Sequence, residues 1–315
     1  MVNEEYKTHI KVIGVGGGGI SAVNHMVASN LQGVTFIAVD TDKQTLSTAL
    51  CSQAIQLGVS LTNGYGCGAC AHTGSEAALE NIDEIKAALN GADLALVVAG
   101  MSGGAGTGAA PAIAQVAKEL GTLTIGVVTK PFFFEGKRRL ETAVVGIQAL
   151  LNVVDSLIII PCDRLMQLVP KNTTFVDMLK TTNEALHRAV GSITDIFTHR
   201  SLVAIDFVDI RAIFEGKGKA AMGFGAASGE SRARDAAKRA ISSPLLDGSH
   251  IANADNVWLY ITSNAAITIE EVTEVVTIVH EEAHEDTRIL FGTRVDDSVC
   301  DELRVTVIAL GLIHK

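Results

Sequence analysis

Two glycine runs hold the residues best suited to chemistry. The first is Gly14-Val15-Gly16-Gly17-Gly18-Gly19, and the second is Gly100-Met101-Ser102-Gly103-Gly104-Ala105-Gly106-Thr107-Gly108. Glycine admits positive φ and close backbone approach, so successive N–H groups can converge on an anion where a helix begins. The first run satisfies G-x-G-x-x-G through Gly14, Gly16 and Gly19, and Asp40 ends the next apolar run, near where a dinucleotide fold places its ribose-binding acid. That keeps an NAD-dependent oxidoreductase open, beside a tight turn that binds nothing. A dinucleotide fold has no routine use for the second run, whereas two glycine loops can grip a triphosphate from two sides. G-x-x-x-x-G-K-[ST] is absent and neither loop contains lysine. Phosphate charge would then be met by backbone N–H groups, helix dipoles and a Mg²⁺ ion.

Other candidates are weaker. Asp206 and Asp209 form a D-x-x-D pair, which can orient a water or simply charge a helix N-terminus. Cys67 and Cys70 have C-x-x-C spacing with His72 two residues on. No second Cys/His pair follows at finger spacing, so small residues in a Gly/Ala loop are the simpler reading, and no metal site is assigned. His280 and His284 lack the H-E-x-x-H context and read as a solvated helix face. The remaining residues offer no Ser/His/Asp or Cys/His constellation.

The elements that must position these loops are legible. Residues 9–15, 34–40, 92–100, 122–130 and 156–161 are compact apolar runs, apolar enough to be strands of a parallel sheet buried on both faces. Segments of helical spacing separate them, such as 107–121, read as opening on a Thr107 cap and closing on Gly121. This alternation predicts a doubly wound parallel-sheet α/β domain. A long helix over 175–198 follows, with Leu179, Leu186, Val190 and Ile193 expected to be buried. Beyond it KAAMGFG, VWLYITS, TRILFGT and LRVTVIAL read as strands, and 228–241 and 268–285 as helices. The expected organisation is a nucleotide-binding domain over 1–174, a central helix with an acidic loop over 175–214, and a smaller α+β domain over 215–315.

Composition supports a packed chain: 48% of the 315 residues are hydrophobic and 19% charged, so disorder is not expected. No apolar run approaches the ~20 residues of a membrane helix, and the acidic start MVNEEYKTHIKV has no signal-peptide character. A cytoplasmic protein without direct membrane insertion is expected. The net charge of −10 argues against a nucleic-acid partner, which calls for a basic field. Five cysteines suit reduced thiols better than a disulfide framework.

The segment Ser102-Gly103-Gly104-Ala105-Gly106-Thr107-Gly108 resembles the tubulin/FtsZ signature G-G-G-T-G-[ST]-G. IKVIGVGGGG (10–19), VVTKPFFFEGKRR (127–139), IDFVDIR (205–211), SGESRARDAAKRAISSPLL (228–246) and DELRVTVIALG (301–311) are similar, in order, to segments of bacterial FtsZ. The resemblance implies a fold of this family and a GTPase binding GTP/GDP with Mg²⁺. It implies self-assembly head to tail into filaments, with other division proteins as further partners and the division site as a place of action. By position, Gly17, Gly18, Gly19 and Ser21 would cradle phosphate from one side. Gly103, Gly104, Gly106, Thr107 and Gly108 would do so from the other. Glu135 and Arg139 would lie near ribose and phosphates, and Asn183, with Glu184 beside it, would read the guanine edge. Asp206 and Asp209 would be the catalytic pair, supplied to the neighbouring subunit's nucleotide.

Several positions depart from the family pattern. Ala204 stands where FtsZ has an Asn two residues before the first catalytic Asp, removing a donor and an acceptor. Ile20-Ser21 replace Gly-Asn, Asp40 and Cys162 each replace an Asn, and Leu179 replaces an aromatic near guanine. The loop resembling G-A-N-P-E runs Gly68-Ala69-Cys70-Ala71-His72. A GTP-binding paralogue that caps or regulates filaments without hydrolysis is therefore the alternative. The family's disordered linker and adaptor-docking tail find no counterpart after Lys315, so either the sequence is trimmed or tethering in the family's usual way is not expected.

Overall fold

The computed structural model describes residues 8–198, 203, 205–246 and 251–312. Its contacts divide the chain into two compact units, Met1–Asp155 and Ser156–Lys315.

The first unit carries five parallel strands: β1 (Ile10–Val15), β2 (Val34–Asp40), β3 (Gln53–Gln56), β4 (Leu94–Gly100) and β5 (Leu123–Lys130). Their order is β3-β2-β1-β4-β5, all parallel. β4 and β5 are largely apolar runs buried along almost their whole length, as strands covered on both faces must be. The polar edge strand β3, QAIQ, has too little apolar pattern to be read from sequence. In this order the chain leaves β1 towards β2 on one side and β4 lies on the other. The crevice at their C-terminal ends is the topological switch point, where doubly wound sheets take ligands. Both glycine runs emerge there.

Helix Gly16–Ala28 starts directly from β1, and helix Gly104–Glu119 follows β4 after Met101, Ser102 and Gly103. The second differs from the sequence reading: it begins at Gly104 with Gly103 as N-cap, so Thr107 sits inside the first turn and does not cap it. The small residues allow this. A Cβ at Gly108 would lie 1.9 Å from the carbonyl oxygen of Ala71, and one at Gly74 would lie 2.3 Å from that of Gly104. The glycines therefore let the helix Ala71–Glu80 lie directly against the second glycine helix.

The second unit holds β6 (Ser156–Pro161), β7 (Gly218–Ala227), β8 (Asn256–Ser263), β9 (Arg288–Val295) and β10 (Leu303–Leu310). Their order is β6-β7-β10-β8-β9, with β10 antiparallel to both neighbours. Strand alternation splits β8 cleanly. Val257, Leu259 and Ile261 join a core with Ala233, Ala236, Ala237 and Val275 from helices Arg232–Ile241 and Ile269–Glu282. Trp258, on the other face, donates from Nε1 to the carbonyl oxygen of Ser192 at 3.0 Å, fixing the helix Phe175–Thr198. On that helix Leu186, Val190 and Ile193 are buried as expected. Leu179 is 44% exposed, because it sits near the N-terminal end, where four of the first five residues, Phe175 to Leu179, face solvent. The fold is mixed α/β with a parallel-sheet core and a second α+β domain.

Candidate nucleotide site

A cavity of about 420 Å³ opens at the switch point of the first unit. Gly16, Gly17 and Gly18 form one wall, and Gly100, Gly103, Gly104, Ala105 and Gly106 the facing one. Both walls are helix N-termini, and neither the Val15 nor the Gly103 N-cap offers a side-chain hydrogen bond. The first N–H groups of a helix have no partner within it; here two sets of them border one cavity, with the positive ends of both helix dipoles. Side chains would spoil this approach. A Cβ at Gly16, whose φ is +71°, would lie 2.8 Å from the amide nitrogen of Gly106.

The remaining wall comes from the turns after β2 and before the Ala71–Glu80 helix: Asp40, Thr41, Asp42, Thr45, Tyr65, Gly66, Cys67, Gly68 and Ala69. Asp40 is 4% exposed, and its Oδ1 accepts from the backbone N–H of Thr41 at 2.7 Å and of Asp42 at 3.1 Å. Burial pushes its carboxyl above the ordinary range against those hydrogen bonds. Asp42 is held below it by the hydroxyl of Thr45 and the N–H of Gln44. Among the described residues Arg139 is the one cationic side chain lining the cavity, and it pairs with Glu135. Glu135 in turn accepts from the N–H of Phe132 at 2.9 Å, so the pair closes the turn between β5 and the helix Lys137–Leu151.

The structure brings together Gly17, Gly18, Gly103, Gly104, Gly106 and Arg139 of the expected site. Gly19, Ser21, Thr107, Gly108 and Glu135 stand behind this lining. Gly19 packs its helix on β4, since a Cβ there would lie 2.4 Å from the carbonyl oxygen of Val98. Ser21 is exposed on the following turn. Thr107 Oγ1 accepts from the N–H of Ser102 at 2.8 Å, while Gly108 serves helix packing. Sequence reasoning placed Gly16 in the first glycine run, but it did not read Thr41, Asp42, Thr45, Tyr65 or Cys67 as part of a nucleotide site. Only the D-T-D run at 40–42, next to a strand end on the side of the first glycine loop, could have signalled part of this wall.

The other expected residues belong to the second unit. Asn183 and Glu184 lie on the helix Phe175–Thr198, where Glu184 Oε1 accepts from Arg188 Nε at 2.8 Å. The Arg188 guanidinium also lies 3.7 Å over the Phe224 ring. Asp206 is the N-cap of the helix Phe207–Phe214 and forms a capping box with Asp209. Asp206 Oδ1 accepts from the N–H of Asp209 at 2.9 Å, and Asp209 Oδ2 from that of Asp206 at 3.5 Å. Ala204, the departure expected to matter for hydrolysis, lies outside the described residues. Cys67, Cys70 and His72 do not gather into a metal-holding set; His72 Nε2 lies 3.5 Å from Glu76 instead.

Comparison with known proteins accounts for this geometry. Residues 9–170 match the Tubulin/FtsZ family, GTPase domain, and residues 218–313 the FtsZ family, C-terminal domain. The whole fold superposes on the empty FtsZ dimer of M. jannaschii with a TM-score of 0.94 and 34% identity, covering 98% of this chain and 89% of that one. The GTPgS-bound CetZ2 protofilament of Haloferax volcanii shares the fold at TM-score 0.82 and 21% identity, covering 98% and 94%. CetZ1 of the same organism, a GDP-bound monomer, gives 0.83 at 20% identity, covering 98% and 95%. Two domain matches in the family's order, and an FtsZ relative at this identity over nearly the full length, establish that the chain belongs to the tubulin/FtsZ family.

Proposed function

We propose that this chain binds GTP in the cavity between its two glycine helices and hydrolyses it at the interface between head-to-tail subunits of a filament, in the cytoplasm and at the division site. The observation that carries the reading is the convergence of two helix N-termini without side-chain caps, at Gly16 and Gly104, on one cavity. Such a cradle meets phosphate with backbone N–H groups. The donor set also suits Mg²⁺, which is usually taken by one or two carboxylates together with phosphate oxygens. Among the described residues Asp40 and Asp42 line the cavity and no lysine does. When bound, the ion neutralises charge on the β- and γ-phosphate oxygens. Asp206 and Asp209 are assigned to orienting the attacking water of the neighbour's nucleotide, and Asn183 to the guanine edge. Heterologous contacts of this kind leave the assembly open-ended.

The second reading, a GTP-binding paralogue that caps or regulates filaments without hydrolysis, draws on the same pair. Each carboxylate is spent in part on the other's backbone N–H, and Ala204 stands where the family has Asn. Phosphate release and pelleting with GTP and Mg²⁺, across a range of protein concentrations, separate the two. Turnover that rises with assembly supports the first; assembly or filament capping without phosphate release supports the second. Thermal midpoints with GTP, GDP, ATP and NAD test the ligand itself, and a larger rise with NAD than with GTP would overturn both.

A further inference from the structure

The wall of the cavity contains a feature that nucleotide binding does not require. Cys67-Gly68-Ala69-Cys70 is a β-turn whose central residues are both left-handed, Gly68 at φ +55° and Ala69 at φ +60°. It is closed by the N–H of Cys70 donating to the carbonyl oxygen of Cys67 at 3.0 Å. This is the mirror-type turn that glycine normally dominates, here with an alanine held in the glycine region. Such a turn brings its end Cα atoms within about 7 Å of each other, overlapping the span of about 4.4–6.8 Å that a disulfide bridges. The Cys67 thiol and the Cys70 backbone meet at one spot: a Cβ at Gly104 would lie 2.5 Å from Cys67 Sγ and 2.9 Å from the backbone nitrogen of Cys70. Both cysteines are free thiols, Cys67 half-buried and Cys70 exposed.

We propose that Cys67 and Cys70 are a thiol–disulfide modification site on the rim of the phosphate cradle, closed by a hydroperoxide and shielded by bound nucleotide. The shielding rests on the proposed GTP reading; the bond itself does not. The two sulfurs are chemically unequal. Cys70 is the N-cap of the helix Ala71–Glu80, and hydrogen bonding to Thr73 holds its thiol below the ordinary value. Burial pushes the Cys67 thiol up, and Cys67 Sγ lies 3.4 Å from the hydroxyl of Thr41. Cys70 is therefore the group that reacts first, since the thiolate is the nucleophile. Its sulfur attacks the hydroperoxide, the O–O bond breaks, and the departing oxygen leaves as water or alcohol after taking a proton. The resulting Cys70 sulfenic acid is attacked by Cys67; the S–S bond forms, the S–O bond breaks, and hydroxide leaves with the Cys67 proton as water. Two thiols are oxidised and one peroxide is reduced. Cys67, Gly68 and Ala69 line the cavity, so phosphates held there cover Cys67 and hinder the step in which it closes on Cys70.

The test treats reduced protein with hydrogen peroxide, with and without GTP, then alkylates it under denaturing conditions and maps its peptides by mass. The expected peptide spanning Cys67 and Cys70 carries no alkyl group and is lighter by two hydrogens, in a chain that remains uncrosslinked. Cys67→Ser should leave Cys70 as a sulfenic acid trapped by dimedone, and Cys70→Ser should slow oxidation of Cys67. GTP should slow closure. Full alkylation of both cysteines after peroxide, or pairing of Cys70 with Cys300 or with another molecule, overturns the site. Equal closure rates with and without GTP, where GTP does raise the thermal midpoint, overturn the shielding. No rise in midpoint with GTP would strike the nucleotide reading and leave the disulfide result standing.

Discussion

Thr107 Oγ1 accepts a hydrogen bond from the backbone N–H of Ser102 at 2.8 Å, and this bond holds Ser102 at a φ of +117°. The family signature has glycine where Ser102 stands, and the backbone here keeps the shape glycine would take. A serine in that region is strained, and the hydroxyl inside the first helical turn is what over-determines it. The second glycine loop is thus a small device: Thr107 sets Ser102, and Ser102 sets where the helix N-terminus points.

Ser102→Gly should therefore stabilise the protein, by about 1 kcal/mol once relief of strain is offset against the greater freedom of glycine when unfolded. Thr107→Val keeps the shape and removes the acceptor, leaving a buried N–H unpaired at about 1–3 kcal/mol. Denaturant midpoints of the two variants should move in opposite directions. A shift in the same direction would mean the loop is set by something else.

The helix Phe175–Thr198 supplies a sharper contrast. Leu186 is 2% exposed and Leu179 44%, so Leu186→Ala should cost about 2–5 kcal/mol and Leu179→Ala much less. If Leu179 instead faces the base, where the family has an aromatic, Leu179→Phe should tighten GTP by about 0.5–1.5 kcal/mol through ring stacking without altering stability. Unfolding curves and GTP titrations on the same samples read both effects.

The sheet was legible because its strands are so apolar. β1, β2, β4 and β5 announced themselves as buried runs, and the long helix showed through Leu186, Val190 and Ile193. β3 was not legible, since QAIQ at a sheet edge carries no pattern. The phosphate cradle was legible only in its glycines, and even there residue type did not separate two duties. Gly19 and Gly108 lack side chains so that their helices can touch Val98 and Ala71, whereas Gly16 and Gly104 lack them at the cavity. The third wall, from Asp40 to Ala69, joins segments far apart in sequence, and nothing local to either predicts that they meet. The Thr107 cap was misread because a threonine before an alanine-rich helix looks like an N-cap; its hydroxyl turns back to Ser102 instead.

Arg232 gives the second unit a dependence on pH. It is 6% exposed, pairs with Glu271 through two hydrogen bonds, and donates to the carbonyl oxygen of Asp301 at 3.0 Å. The Arg232 hydrogen bonds hold the Glu271 carboxyl below its ordinary value. A carboxyl whose folded pKa is lowered contributes stability that is fully present above its unfolded value, about 4.3. That contribution is lost as pH falls through the folded value. Glu271→Gln should thus lower the denaturant midpoint at about pH 7, with the gap to the parent narrowing towards about pH 3. Arg232→Met should cost about 1–3 kcal/mol at neutral pH. A gap that stays constant across this range would show that the pair carries no proton-linked stability.

The last prediction concerns where hydrolysis happens. If Asp206 and Asp209 act on a neighbour's nucleotide, no single subunit holds a complete site, and specific activity should rise with protein concentration after a threshold. Asp209→Ala should abolish turnover and leave GTP binding intact. Because Asp209 also accepts from the N–H of Asp206, the alanine variant loses a capping contact worth about 1 kcal/mol. Asp209→Asn keeps an acceptor at that place and removes the charge, so loss of turnover in both variants assigns the effect to the carboxylate. Gly106→Ser should block nucleotide binding, since a Cβ there would lie 2.6 Å from the carbonyl oxygen of Gly100. Mixed with Asp209→Ala, it supplies an intact acidic pair to a subunit with an intact cradle, and interfaces of the right polarity should recover turnover that neither variant has alone. Ala204→Asn should raise the parent's rate if the missing amide limits it. Activity independent of concentration, with no recovery on mixing, would place the catalytic groups within one subunit and end the shared-site mechanism.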